Sequence, residues 1–156
     1  MRKTLETITP LTDADLAVFD RMRRWLLAPL DDGHEFLYDS IRGKLLIVQA
    51  VLQAKRFGPH NVLELQALGV AFGDALAQQL DLTWMISDSI QFGRRPVLNL
   101  PGTSLAIGAF TAIQKRVVQG EPVDVRALFD AFCDSTERLI RPRRSLWGRL
   151  FGERLA

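Results

Sequence analysis

The stretch TWMISDSIQFGRRPVLNLPGTSLAI, residues 83–107, decides the fold. Its first eight residues change period from helical to alternating, with Trp84, Ile86 and Ile90 on one side and Thr83, Ser87 and Ser89 on the other. That is the pattern of a half-buried strand. A loop of Phe92, Gly93, Arg94, Arg95 and Pro96 follows, then a short strand from Val97 to Leu100, a turn at Pro101-Gly102 and a third strand from Ser104 to Ile107. Connections this short force antiparallel pairing, because a parallel pair needs a crossover of about a dozen residues or more.

The regular elements expected before residue 83 are three helices. Thr12 with Asp15 three positions on has capping-box spacing, and Leu16, Phe19, Met22 and Leu26 recur at helical intervals, so a helix is expected over about 13–28, ending at Pro29. After the turn Asp31-Asp32-Gly33, a second helix spans about 38–56 on Ile41, Leu45, Val48 and Leu52. Leu46, Ile47 and Val51 widen its apolar face and make it the expected central helix. Asn61 and Glu64 are placed to cap a third, over about 62–80, with Leu65, Leu68, Phe72 and Leu76 inward. Beyond the strands, Ala109–Val118 forms a fourth helix, and Asp124 caps a fifth carrying Val125, Leu128, Phe129 and Phe132.

Runs of helices followed by a run of strands indicate an α+β domain, N-terminal helices on a small, about three-stranded, antiparallel sheet. Two further helices and a short basic C-terminal helix complete it. The expected division is a single domain over 1–140 and a basic amphipathic tail over 141–156. The formal charge of +2 hides that division: 15 Lys and Arg with 17 Asp and Glu lie in the first part, 5 Arg with 1 Glu in the second.

Several chemistries find no support in the residues. Metal binding is discounted because one cysteine, Cys133, and two distant histidines, His34 and His60, lack ligand spacing. A lone cysteine also excludes an internal disulfide, and with no continuous apolar leader or spanning run the expected location is cytoplasmic. Cys133 reads as a small buried side chain, Ser104 as a turn residue without a base, and Asp31-Asp32 as a solvated turn. No cofactor is expected. Gly69 and Gly73, inside the third helix, are read as a close-packing pair rather than a phosphate loop.

What remains are cations and one amphipathic segment. Arg94-Arg95 and Lys115-Arg116 form two basic pairs that would make an interaction surface if the sheet brings them together. In the tail, Arg143 and Arg144 precede Trp147 and Phe151 on a short apolar face, suited to the domain itself, a partner groove or an anionic membrane. No interleaved aromatic platform accompanies the basic pairs, so nucleic acid is not expected.

Leu68-Gly69 with Gly73, the strand with Trp84, and the run TAIQKRV over 111–117 closing at Gly120-Glu121 resemble an uncharacterised bacterial family, a domain of unknown function, over about residues 64–132. The resemblance implies a small cytoplasmic α+β domain and supplies no activity, cofactor or catalytic residue. The leading expectation is therefore a non-enzymatic protein that binds another protein, of immunity or adaptor type. The alternatives are an enzyme on an anionic or phosphorylated small molecule, with Arg94, Arg95, Lys115 and Arg116 holding the charge, and a peripheral membrane adaptor held by the tail.

Overall fold

A computed structural model of the chain describes residues 6–151, with side chains through residue 142. Its order is β1 (Thr7–Pro10), α1 (Asp13–Leu27), a 3-10 helix (Glu35–Asp39), α2 (Ile41–Ala54), α3 (Val62–Leu80), β2 (Thr83–Ser89), β3 (Gly93–Asn99), β4 (Ala106–Ile107), α4 (Ala112–Val118) and α5 (Val125–Phe151). The strands form one antiparallel sheet in the order β1-β2-β3-β4. The α+β class stands, with four strands rather than three.

The added strand is β1, which lies along β2 with Thr7 opposite Asp88 and Pro10 opposite Met85. It is short and ends on proline, which suits an edge position where one side of the ladder needs no donor. Also unforeseen is β3's full length. It begins at Gly93, so Arg94 and Arg95 sit in the ladder opposite Asp88 and Ser87 and not in a loop.

The helical layer is built around α3, which touches α1, α2, α4 and α5. Eleven of its residues are buried, so it is apolar on nearly every side, as a central helix must be. The central role expected of α2 falls to α3, because Leu46 of α2 remains 53% exposed. Two glycines let neighbours reach the α3 backbone. A methyl group on Gly69 would meet the carbonyl of Phe110, and one on Gly73 would meet the Trp84 ring. The close-packing reading of this pair is thereby identified atom by atom: Gly69 admits the segment entering α4, Gly73 admits β2.

Trp84 in turn meets Phe19 of α1 edge-on, with ring centroids 5.1 Å apart, and Phe72 of α3 meets Phe129 and Phe132 of α5 the same way. Thr12 and Asp15 make the capping box that their spacing indicates, and Asp124 accepts from the Ala127 N–H at the start of α5. Asn61 behaves differently. Its side chain accepts from Gly58 N–H, closing the preceding turn, and leaves α3 without a side-chain cap. Gln49 of α2 secures α5, accepting from Val125 N–H and donating to the Val123 carbonyl.

Two local readings are corrected. Ser87 and Ser89 are buried while Ile90 is 92% exposed, because β2 is a central strand covered on both sides and Ile90 lies past its end at the hairpin tip. The expected break before a separate C-terminal helix is absent. α5 runs as one helix through Pro142 to Phe151.

Candidate functional site

The densest polar cluster centres on Asp74, one helical position after Gly73 on α3. Its carboxylate accepts two hydrogen bonds from Arg23 of α1, Nε at 2.8 Å and Nη2 at 2.9 Å, one from the Tyr38 hydroxyl of the 3-10 helix at 2.5 Å, and one from Trp84 Nε1 of β2 at 2.9 Å. The Arg23 contact is a two-pronged pair of the strongest type for these groups. Beside it, Lys44 of α2 donates to Gln78 Oε1 at 2.8 Å, stands over the Tyr38 ring, and is 7% exposed. Gln78 completes the chain by donating to the Asp39 carbonyl.

Electrostatics follow from this packing. Asp74 pushes Arg23 further into its charged form. Burial is the main force raising the Tyr38 phenol, and the adjacent Asp74 charge raises it further. Burial lowers the Lys44 ammonium, opposed by the charges of Asp74 and Asp39. Four elements thus share one carboxylate whose acceptor positions are all taken, which makes the cluster a tie between α1, the 3-10 helix, α3 and β2 rather than a reactive group.

Tyr38 is the only tyrosine in the chain, so its ionisation can be followed without interference. A raised folded value means that the folded state keeps the proton longer than the unfolded state. The resulting stability is present below the ordinary phenol range near pH 10 and is lost as pH rises above it. The ultraviolet tyrosinate band should appear well above pH 10 and coincide with unfolding. A reversible titration near pH 10 in the folded protein would contradict the buried contact.

The sequence-chosen cations fall elsewhere. Arg94 forms a two-pronged pair with Asp15, the same carboxylate that caps α1, at 2.9 Å and 2.5 Å. Arg95 approaches Glu6 at 3.8 Å and stacks on Phe92. Lys115 is exposed on α4, and Arg116 donates to the Ala112 carbonyl one turn back. Gly120, with φ near +70°, ends α4 while Glu121 N–H bonds back to the Arg116 carbonyl, which explains the Gly-Glu pair as a helix stop. Among the described residues the two basic pairs share no hydrogen-bonding or ionic partner. The side chains of Arg143, Arg144, Trp147 and Phe151 lie outside the described residues.

The Arg94 pair and the Thr12 hydrogen bonds hold the Asp15 carboxyl well below the usual carboxylate range. Its contribution is therefore present above about pH 4 and disappears as pH falls through the lowered value. Arg94→Ala should raise the Asp15 titration midpoint, read by carboxyl chemical shifts, part of the way back, because Thr12 still donates. An unmoved midpoint would show that the cap alone sets it.

His34 and His60 are exposed in turns. Burial, reinforced by Glu137, Asp130 and Asp134, pushes the half-buried Cys133 thiol up to about 11. No cluster of three or more metal-ligating side chains occurs among the described residues. Nor is any described helix long and apolar enough to cross a membrane.

The most apolar concavity is a groove of about 390 Å³ between the end of α1 and the outer face of α2. Trp25, Leu30, Leu37, Leu46, Ala50 and Val51 line it, and Lys55 stands at one end over the Trp25 ring. Two neighbouring depressions share its residues. One, reached past Trp25, contains Val18, Arg21, Met22, Leu63 and Glu64; the other, reached past Leu46, contains Arg42, Val125 and Arg126. None of these three concavities is lined by Arg94, Arg95, Lys115 or Arg116.

The family model described as "Domain of unknown function (DUF3806)" matches residues 44–129, more than half of the chain. The chain belongs to this family. The DUF3806 match begins inside α2 and ends inside α5, so it contains α3, three of the four strands and α4, with both interior glycines and Asp74. Arg23 and Tyr38, the main partners of Asp74, come from outside the matched segment. A crystal structure of a protein from Bacteroides thetaiotaomicron VPI-5482 shares the fold, with a TM-score of 0.65 at 16% identity over 85% of this chain. The chain spans about half of that protein, 49% of its length. No curated protein matches the sequence.

Proposed function

We propose that this DUF3806 domain is a protein-binding module and not an enzyme. The observation that carries the reading is the groove between α1 and α2, an apolar channel with a half-exposed leucine, Leu46, and a partly exposed tryptophan, Trp25, open to solvent. Tryptophan is among the residue types most enriched at protein interfaces, where it fills apolar, well-packed sites. The charged groups support the same reading, since Arg94 and Arg95 are each engaged by a carboxylate of the chain itself. They have less charge to offer an anionic substrate.

A tagged full chain should retain a partner protein that Leu46→Glu and Ala50→Glu lose and that Arg94→Ala keeps. Turnover of a phosphorylated metabolite by the purified protein, abolished by changes at Arg94, Arg95, Lys115 or Arg116, would overturn the reading in favour of an enzyme.

A further inference from the structure

We infer that the groove between α1 and α2 accepts an amphipathic helix of a partner protein that carries acidic residues at both ends of its apolar face. This rests on the protein-binding reading and specifies its occupant. The groove floor supplies the apolar half of the argument. From Leu46 to Ala54, α2 presents Leu46, Ala50, Val51 and Ala54 along one side, facing Trp25 and Leu30 at the end of α1. That run rises about 12 Å at ~1.5 Å per residue, so it matches about two to three turns of a docked helix read through anchors at i, i+3 or i+4, and i+7. The small side chain of Ala50 lets such a helix approach in mid-groove, Ala54 does the same beside Lys55, and Leu46 and Trp25 bracket the groove.

Charge supplies the other half. Arg42 lies beyond the Leu46 end, while Lys55 and Arg21 lie at the Trp25 end. None of the three makes an ion pair among the described residues, whereas Arg23, Arg94, Arg95 and Arg126 all do. The one carboxylate lining these depressions is Glu64, which makes no ion pair with Arg21, and Arg126 is held by Asp130. An apolar channel with unpaired cations at both ends complements an apolar stripe with carboxylates at both ends. The same complementarity disfavours the chain's own segment 141–156, which carries five arginines and one glutamate and would bring like charge to like.

The test uses the full chain and three labelled synthetic peptides of about 14 residues, roughly four helical turns. The first has a leucine stripe with glutamates at both ends, the second the same stripe with lysines, and the third a scrambled order of the first. Anisotropy should show the glutamate peptide binding about tenfold more tightly than the lysine peptide, with the preference shrinking as salt is added. Leu46→Glu should abolish binding. Arg21→Glu with Arg42→Glu, both at exposed positions that leave the core intact, should invert the preference toward the lysine peptide. Inversion keeps the inference testable even if a groove variant loses stability.

Equal binding of both striped peptides, still lost in Leu46→Glu, would overturn the acidic occupant and leave the protein-binding reading intact. Failure of every peptide while the tagged chain still retains a partner through another surface would remove the groove alone. Failure of both would remove the reading as well. Concentration-dependent dimerisation blocked by Leu46→Glu would assign the groove to a second copy, and binding to anionic vesicles without peptide binding would assign it to lipid. Either result overturns the inference.

Discussion

Asp74→Ala should destabilise the domain by about 3–5 kcal/mol, the range for removing one partner of a buried ion pair. The change withdraws acceptors from Arg23, Tyr38 and Trp84 together. The side chains of Asp74 and Arg23 are 12% and 27% exposed, so water can re-solvate the orphaned guanidinium only in part. For a domain of this size that is a fall in Tm of about 10 °C. Tyr38→Phe removes a single donor and should cost about 1.5–3 kcal/mol, the range for a hydrogen bond to a charged group. The double variant Arg23→Ala with Asp74→Ala should cost less than the sum of the two single changes, because neither charge is then left alone. Thermal and denaturant unfolding measure all of these. A loss under about 1 kcal/mol for Asp74→Ala would mean that the four donors find other partners, and the cluster would not be the tie described above.

Gly69→Ala is the second large effect. The added methyl group would fall on the Phe110 carbonyl, a backbone atom fixed by the entry into α4, so the neighbour cannot rotate away. Overpacking costs about 1–3 kcal/mol where side chains can adjust, and a collision with main chain belongs at or above the top of that range. This exceeds the helix-propensity gain of about 1 kcal/mol that alanine otherwise brings over glycine. Gly73→Ala meets the Trp84 ring, which has some freedom to tilt but holds a hydrogen bond to Asp74, so its cost should be smaller. Gly73→Leu should be severe. A melting temperature for Gly69→Ala equal to that of the unchanged chain would refute the close approach.

The order of these costs shows what can be read from residue order alone. Two glycines four apart in an apolar helix signal a close approach, but not which backbone arrives at which glycine. Helix α1 was legible because its cap is local, with Thr12 and Asp15 three residues apart. Strand β1 was not, since four residues with proline and two threonines give alternation too little length, and its partner lies about eighty positions away. Separation along the chain also hid the polar cluster: Arg23 and Asp74 are 51 positions apart. One signal was available. Asp74 is a single carboxylate in an otherwise apolar stretch of α3, and a charge there requires a partner. Arg94 and Arg95 were visible as cations, but their acceptors, Asp15 and Glu6, belong to the opposite end of the chain. The groove was legible only as an excess of apolar residues on α2, which the sequence assigns equally well to the core.

The pairing of β1 with β2 has a consequence for the order of events during synthesis. Thr7 bonds to Asp88 across 81 positions, so β1, made before its partner, must wait for α1, α2 and α3 to follow before its ladder exists. Closing so long a loop carries an entropic cost that local helices avoid, and the helical layer should therefore gain hydrogen-exchange protection before Ile8 does. Until then the outer side of β2 stands open as an unpaired edge, the type of surface through which nascent chains associate wrongly. Pro10 and the cap at Thr12 fix where α1 begins immediately after this strand, holding the waiting segment close to the position that it will occupy.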